Sequence, residues 1–327
     1  MKAYLSVFLT SLIFAILIGI VVIPLLKKLK FGQNILNYVT EHNYKSGTPT
    51  MGGVIFVASA IISFFIFSKP DKYLSVVCIT VGLSYMTVGF IDDFIKIKLK
   101  RNKGLSALQK TLFELIIAII ISVFAYVKGL TKVYIPIANF TVDFGWTFIP
   151  LCILLFISTT NSVNLTDGLD GLASGVTYIV FLTLGTIIFL QTSAFSKDYV
   201  SVDEYKNVAV LLFSLAGGLV GYLLFNTHKA SVFMGDTGSL ALGGFVAITS
   251  TVSGNMLLVP IVGITYVLSS ISVIVQVIHY KRTKKRIFLM APIHHHFQHK
   301  GFDESKIAIG YKIVTLCLGL ICVISYL

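Results

Sequence analysis

The sequence is built from apolar runs of about 20 residues that recur from one end to the other, which constrains the fold most strongly. A helix of that length crosses the hydrocarbon core of a bilayer, so we predict about ten transmembrane helices. The predicted fold class is an all-α polytopic membrane protein, with residues 1–327 forming a single integral membrane domain. The runs lie near residues 3–26, 51–68, 73–95, 111–128, 147–160, 174–191, 208–225, 238–253, 256–279 and 307–327.

Composition supports this class. The chain is 56% hydrophobic and only 12% charged, about half the charged fraction of a soluble domain. The first apolar run lacks a strong basic segment before it and a small-residue cleavage site after it, so we interpret it as a retained span. The formal net charge of +12 is explained by loop topology and anionic lipid, and no nucleic-acid partner is expected.

Basic residues are divided unequally between alternate loops. The loops on one side of the predicted membrane carry 18 Lys and Arg, against 7 on the other side. The positive-inside rule therefore places the first set in the cytoplasm and both termini on the outer side. Between Lys128 and Trp146 the residues alternate in polarity, which predicts a small β-hairpin at the outer surface.

The same topology separates the acidic residues into two groups. One group falls in predicted outer loops, where solvated surface explains it. The other group falls at the cytoplasmic ends of spans, where an unpaired carboxylate near hydrocarbon is expensive. Acids from three loops at one depth predict a functional site at the cytoplasmic face. This second group consists of Asp92, Asp93, Asp167, Asp170 and Asp236.

The segment 161–171 is the most polar stretch between two apolar runs. On a helix, residues three and four apart are neighbours, so Asn161, Asn164 and Asp167 share one face. A lipid-facing stripe would not carry these residue types. A polar loop containing two helix caps is the alternative explanation.

Asp92 and Asp93 end a long apolar run. Adjacent helical residues point about 100° apart, so we expect that the two cannot share one ligand face and that they divide their work. One would lie near a metal and the other near a proton or a second cation. The alternative is a helix end whose acids pair with the basic run Lys96–Lys103, although acids at a helix C-terminus oppose its dipole.

Two further segments carry features of an anion or metal site. Asp236 or Thr237 is predicted to be a helix N-cap, and an acid among Gly, Thr and Ser suits Mg²⁺ bridged to a phosphate. In residues 45–53, Thr48 or Thr50 can cap the next helix and expose its positive end to an anion, with Lys45 adding a cation. A plain turn and cap would explain the second segment equally well.

Three consecutive histidines, His294, His295 and His296, follow a basic run in the last cytoplasmic loop. Consecutive His rarely converge on one ion, and neither Cys nor an HExxH pattern accompanies them, so phosphate contact is favoured over zinc. Gln276 is expected to line the cytoplasmic end of its span. Together, acids, cations and helix N-termini at one face favour Mg²⁺-dependent phosphoryl transfer at a membrane surface.

The order and spacing of these segments resemble the polyprenyl-phosphate N-acetylhexosamine-1-phosphate transferase superfamily, over about residues 45–297. Thr-Pro-Thr-Met-Gly-Gly and Met-Ala-Pro-Ile-His-His-His-Phe are similar to the phospho-N-acetylmuramoyl-pentapeptide transferase family within it. The resemblance implies transfer from UDP-MurNAc-pentapeptide to undecaprenyl phosphate with Mg²⁺, giving lipid I and UMP. It also implies a homodimer in the bacterial cytoplasmic membrane, with the active site facing the cytoplasm. The matching segments are Lys45–Gly53, Val88–Asp93, Asn161–Gly171, Asn226 with Phe233–Ser239, and Arg286–Phe297.

The resemblance further implies roles for individual residues. Asp236 would hold Mg²⁺, while Asp92 would deprotonate the lipid phosphate with Asp93 beside it. Asp167 would bind nucleotide or sugar. Direct attack and a phospho-enzyme intermediate both stay open. The other implied substrate-binding residues are Asn164 and Asp170 in the same loop, Asn226 and Phe233 at the uracil end, and Lys45, Thr50, Lys110, Gln276, His294, His295 and His296 around the diphosphate and sugar.

Three alternatives remain at the level of sequence. A sister transferase using UDP-GlcNAc would share the chemistry, but the His triplet counts against it. A proton-coupled transporter would place its carboxylates near the bilayer midplane, whereas these lie at one face. A structural membrane scaffold leaves the acids and histidines unexplained.

Overall fold

The computed structural model describes residues 2–29, 47–99, 104–136, 140–192 and 201–327. Within these ranges the chain forms twelve α-helices and one two-stranded sheet. The elements are α1 (Lys2–Lys28), α2 (Gly53–Phe67), α3 (Tyr73–Lys98), α4 (Ala107–Val127), β1 (Lys132–Ile135), β2 (Phe140–Asp143), α5 (Phe148–Thr166), α6 (Leu172–Gln191), α7 (Val202–Asn226), α8 (Gly235–Val252), α9 (Val259–Val262), α10 (Ile264–Thr283), α11 (Ile293–His299) and α12 (Glu304–Ile324).

The prediction of an all-α polytopic membrane protein is confirmed. Eight helices in the described ranges are long and apolar enough to cross a membrane, and α2 is a shorter apolar helix. The eighth predicted run, 238–253, corresponds to α8, which is 18 residues long and rich in Gly, Ser and Thr. The predicted single span 256–279 is wrong in detail. The helix is interrupted at Gly263, where the one-turn helix α9 ends and α10 begins.

Helix α8 forms the centre of the bundle. Every residue from Thr237 to Val252 is buried, and the helix packs against α3 and α5 with further contacts to α2 and α6. Helices α6 and α7 are also mostly buried, whereas α1, α4, α10 and α12 keep rows of large apolar side chains exposed. Exposed apolar rows on long helices are what a lipid environment requires.

Glycines bring the start of α8 close to its neighbours. A Cβ on Gly89 of α3 would clash with the backbone carbonyl of Asp236, and one on Gly53 of α2 would clash with Gly238. Small residues at such crossings allow helix backbones to approach closely in membrane bundles. The first turn of α8 is thereby pressed against the ends of α2 and α3.

The predicted β-hairpin is confirmed. Strands β1 and β2 pair antiparallel, with Lys132 opposite Asp143. Hydrogen bonds from the Thr131 hydroxyl and the Gly145 N–H hold the pKa of Asp143 below its usual value. The backbone N–H of Tyr134 donates to Gly254 at 2.8 Å, which ties the hairpin to the end of α8. The side of the membrane on which it lies stays a prediction.

Candidate active site

Three carboxylates from two helices converge at one end of the bundle. Asp92 and Asp93 lie near the C-terminal end of α3, Asp236 lies in the first turn of α8, and one oxygen of each lies within 4.8 Å of the others. The expectation that two adjacent aspartates could not face one ligand is therefore wrong. Their side chains both reach toward α8, because Gly89 admits that helix to close range.

Asp92 and Asp93 nevertheless have different hydrogen-bond partners. Asp92 Oδ1 accepts from the Leu105 N–H at 2.7 Å. Asp93 Oδ2 accepts both the N–H and the hydroxyl of Thr237, at 2.9 and 2.7 Å. The two carboxylates are buried, so these donors fix their orientation. That one of them lies near a metal and the other near a proton or a second cation stays a prediction.

The predicted N-cap at Asp236 or Thr237 is wrong. Helix α8 begins at Gly235 after Met234, and no side chain caps it. The physical reason is that both candidate caps are engaged elsewhere. The Thr237 hydroxyl donates to Asp93, and the Asp236 carboxylate accepts from lysines of α3 and α4.

Two lysines lie among the acids. The Lys96 ammonium lies 2.9 Å from Asp236 Oδ2 and 3.7 Å from Asp93 Oδ1, and it also pairs with Asp92. The Lys110 ammonium lies 3.2 Å from the same oxygen of Asp236. Three carboxylates against two ammonium groups leave excess negative charge, which suits a bound cation. The alternative prediction, that the two aspartates pair with the basic run beginning at Lys96, is confirmed for Lys96 itself, which lies four residues from Asp92 on one helix face.

Asn164 of α5 connects these groups. Its side-chain N–H₂ donates to Asp236 Oδ1 at 2.7 Å and to the Ser239 hydroxyl at 2.8 Å. Its carbonyl oxygen accepts from Lys110 at 3.2 Å. Every polar atom of this amide is used, so Asn164 fixes the Asp236 carboxylate through Oδ1, while the two lysines contact Oδ2.

The loop after α5 is held by its acids. Gly171 adopts a positive φ of 68° where α6 begins, a conformation that favours glycine. Asp170 is buried, and its Oδ2 accepts from the Ala230 N–H at 3.0 Å. Its own N–H donates to Glu304 of α12 at 2.6 Å. Asp167 caps the end of α5, one helical turn beyond Asn164.

The first two histidines of α11 lie against this loop. A Cβ on Gly168 would clash with Nε2 of both His294 and His295. His294 is fully buried, and neither ring nitrogen has a hydrogen-bond partner among the described residues. Burial, and secondarily His295, hold the pKa of His294 well below its usual value, so the ring is neutral. His296 instead accepts from the Leu289 N–H at 3.1 Å, within its own loop.

Thr50 and Phe233 lie beside the acidic cluster. The Thr50 hydroxyl is buried and has no hydrogen-bond partner in the part of the chain that the structure describes. A Cβ on Gly235 would clash with both this hydroxyl and Asp93. The Phe233 N–H donates to Pro49 at 2.8 Å, which pairs the Thr50 segment with the start of α8. Lys45 lies outside the described residues.

Two predicted substrate-binding amides support loops. Asn226 donates to the Val232 carbonyl at 3.0 Å and accepts from the Ser174 hydroxyl at 2.8 Å. Gln276 accepts from the N–H groups of Ile287 and Phe288, each at 3.0 Å, and donates back to the Phe288 carbonyl. Contact of either amide with substrate stays a prediction.

The acidic cluster fits a hard divalent cation. Its donors are all carboxylate oxygens, the ligands that Mg²⁺ prefers. A second group within the described ranges, Asp170, His228 and Glu304, could also hold a metal ion. That group includes an imidazole, which suits a transition metal better than Mg²⁺, so the all-carboxylate cluster of Asp92, Asp93 and Asp236 is the better candidate for Mg²⁺.

Comparisons with known proteins agree with this geometry. Residues 73–254 match the family model of glycosyl transferase family 4, and residues 45–57 match a phospho-N-acetylmuramoyl-pentapeptide-transferase signature. Proteins named phospho-N-acetylmuramoyl-pentapeptide-transferase are similar along most of their length. The one from Caldanaerobacter subterraneus is 44% identical over 94% of both chains. The one from Clostridioides difficile is 39% identical over 97% of this chain and 96% of its own.

Proposed function

The chain belongs to glycosyl transferase family 4 and, within it, to the phospho-N-acetylmuramoyl-pentapeptide transferases. From this premise we propose that it transfers phospho-MurNAc-pentapeptide from UDP-MurNAc-pentapeptide to undecaprenyl phosphate. An oxygen of the lipid phosphate attacks the sugar-linked phosphorus. A new P–O bond forms, the P–O bond to UMP breaks, and lipid I and UMP are the products.

The observation that carries the proposal is the convergence of Asp92, Asp93 and Asp236 with Lys96 and Lys110. Phosphoryl transfer needs little covalent chemistry from a protein, and its catalysis depends on positioning and on stabilising negative charge. A buried cluster of fixed acids and cations supplies both. Asp236 would hold Mg²⁺ with Asp92 and Asp93 in reach, and a bound ion would supply positive charge that neutralises the diphosphate.

Asp92 is the proposed general base for the lipid phosphate. Both neighbouring carboxylates are engaged, because Asp92 accepts from the Leu105 N–H and pairs with Lys96, while Asp93 accepts two hydrogen bonds from Thr237. A base needs a free lone pair toward its proton donor, and the choice of Asp92 over Asp93 rests on the family resemblance. Lys96 and Lys110 steady the negative charge of the attacking and leaving phosphates. We favour direct attack over a phospho-enzyme intermediate.

The nucleotide and sugar are proposed to bind next to the acidic cluster. Asp167 lies one helical turn from Asn164, so the loop after α5 adjoins the metal site. The buried ring nitrogens of His294 support a ligand there, because polar atoms without a partner are rare in native proteins. A neutral imidazole can donate from one nitrogen and accept at the other.

We also propose where the reaction takes place and how the protein is oriented in the membrane. The chain is a multi-pass membrane protein. The basic loops support an active site that faces the cytoplasm, with both termini outside. A homodimer is proposed from the family alone.

The test is UMP release by the purified protein with undecaprenyl phosphate and Mg²⁺. UDP-MurNAc-pentapeptide and UDP-GlcNAc are offered in separate reactions. Turnover of the first alone is expected. Turnover of UDP-GlcNAc alone would move the protein to a sister specificity, and no turnover of either, beside an active control transferase, would overturn the proposal.

A further inference from the structure

Glu114 is a carboxylate buried within the membrane-spanning helix α4. Its side chain is 0% exposed. Oε2 accepts from the Asn161 side-chain N–H₂ at 2.6 Å and from the Thr160 hydroxyl at 3.3 Å. Oε1 is buried without a hydrogen-bond partner among the described residues. Its position inside an apolar run gives no sequence signal of a functional site.

Burying a carboxylate of this kind costs folding free energy. An ionisable side chain inside a membrane segment costs stability and is usually retained for function, and an unpaired buried oxygen adds to that cost. Both partners of Glu114 are donors on α5, so the carboxylate acts as an acceptor that holds that helix. Packing alone would be served better by an apolar residue of similar size.

Near the acidic cluster, the described residues show a second polar link between α4 and α5. It is the hydrogen bond from Lys110 to Asn164, at 3.2 Å. Lys110 and Glu114 are four residues apart on one helix face, and Asn161 and Asn164 are three apart on the other. With a single polar contact, each helix could still rotate relative to the other around that contact. Two contacts one turn apart fix the relative orientation of α4 and α5.

The second link leads directly to the acidic cluster. Lys110 and Asn164 both bind the Asp236 carboxylate, at 3.2 and 2.7 Å. We infer that Glu114 is a positioning residue for the transfer reaction, acting through Asn161 to hold the Asn164 amide and the Lys110 ammonium against Asp236. The inference rests on the proposed function for its kinetic readout only.

The test compares variants that separate the hydrogen bond from the rest of the side chain. Glu114→Gln keeps an oxygen that accepts from Asn161, whereas Glu114→Leu removes it, and Asn161→Leu removes the donor from the opposite helix. Ser122→Ala is the matched control. Ser122 is buried two turns farther along α4, where its hydroxyl donates to the Ala118 carbonyl and also contacts the Cys152 thiol of α5, away from the acidic cluster.

Glu114→Leu is expected to lower kcat by about tenfold to a hundredfold, because misplacement of about 1 Å can cost that much. The loss should fall more on kcat than on KM for the sugar nucleotide, because the disturbed Lys110 and Asn164 bind Asp236 at the metal site. Glu114→Gln should recover most of the rate, and Ser122→Ala should match the wild type. Combining Glu114→Leu with Asn161→Leu should cost no more than either change alone, because both break one link.

Metal affinity gives a readout that does not depend on turnover. Binding of Mn²⁺ to the purified protein, followed by electron paramagnetic resonance, should be about tenfold weaker in Glu114→Leu and restored in Glu114→Gln. If the wild type binds Mn²⁺ with this pattern yet releases no UMP, the proposed function fails while the inference stands. Wild-type kcat and Mn²⁺ affinity in a folded Glu114→Leu or Asn161→Leu protein, or additive losses in the double variant, would overturn the inference.

Discussion

The ammonium of Lys96 lies 2.9 Å from Asp236 Oδ2, although the two residues are 140 positions apart in the sequence. The same ammonium pairs with Asp92 one turn earlier on α3. This cation therefore joins the C-terminal end of α3 to the first turn of α8. Asp236 is the shared partner of Lys96, Lys110 and Asn164, which makes it the residue whose loss should disturb the site most.

Asp236→Asn is expected to reduce kcat by at least about 10²–10³-fold, the cost of losing a major charge-stabilising group. Asparagine keeps the shape but removes the charge that both lysines and a divalent cation require. UMP release measures the rate, and Mn²⁺ binding measures the metal site. A near-normal rate with unchanged Mn²⁺ affinity would remove Asp236 from the metal site.

Asp92→Asn should separate binding from chemistry. Loss of a general base costs about 10²–10⁴-fold in rate, while equilibrium binding of UDP-MurNAc-pentapeptide should be almost unchanged. Calorimetry of nucleotide binding and UMP release would be measured on the same preparation. Lost binding with a normal rate at saturation would assign Asp92 to substrate recognition instead.

Gly89→Ala tests the close approach of α3 and α8. A methyl group there clashes with the backbone of Asp236, and overpacking of this kind costs about 1–3 kcal/mol. We expect a lower thermal unfolding midpoint in detergent together with reduced activity. Gly310→Ala of α12 is the matched control, because a Cβ at that helical glycine meets nothing within 4 Å. Equal midpoints for the two variants would contradict the packing described at Gly89.

The fold class and most helices could be predicted because membrane spans impose a length and polarity that sequence reveals directly. The break at Gly263 could not, because it divides an apolar run whose composition does not change across it. A helical glycine can continue or end a helix, and the packing of neighbouring helices decides which.

The acids of the site were predictable because carboxylates at the ends of apolar runs are conspicuous. Their joint orientation was not, since the 100° rule describes one helix, whereas α8 approaches from outside it at Gly89. Glu114 was missed for a related reason. Its partners, Thr160 and Asn161, lie more than 40 positions away in the sequence, so only tertiary structure explains a carboxylate in an apolar run.

The burial of the His294 imidazole predicts that the stability of the folded protein depends on pH. Because burial lowers its pKa in the folded protein, the neutral ring is favoured there, while the unfolded chain takes up a proton near pH 6.5. Its contribution to stability is therefore complete above about pH 6.5 and falls as the pH decreases below that value. His294→Gln, which stays neutral, should show a smaller fall in unfolding midpoint between pH 7.5 and 5.5.

The matched control for that measurement is His299→Gln, because His299 is exposed on the same short helix. It should keep the wild-type dependence on pH. An identical pH profile for the wild type and His294→Gln would contradict a buried neutral imidazole at this position.

Asp203→Asn tests the predicted topology. Asp203 lies in the first turn of α7 and pairs with Lys69 at 2.8 Å and with Lys206 at 3.4 Å, both at the surface. Exposed ion pairs contribute little to stability, and the predicted outer side has no part in a reaction at the cytoplasmic face. The variant should therefore release UMP at the wild-type rate, in contrast to Asp236→Asn. A folded but inactive Asp203→Asn protein would show that the outer surface takes part in turnover and that the predicted orientation is wrong.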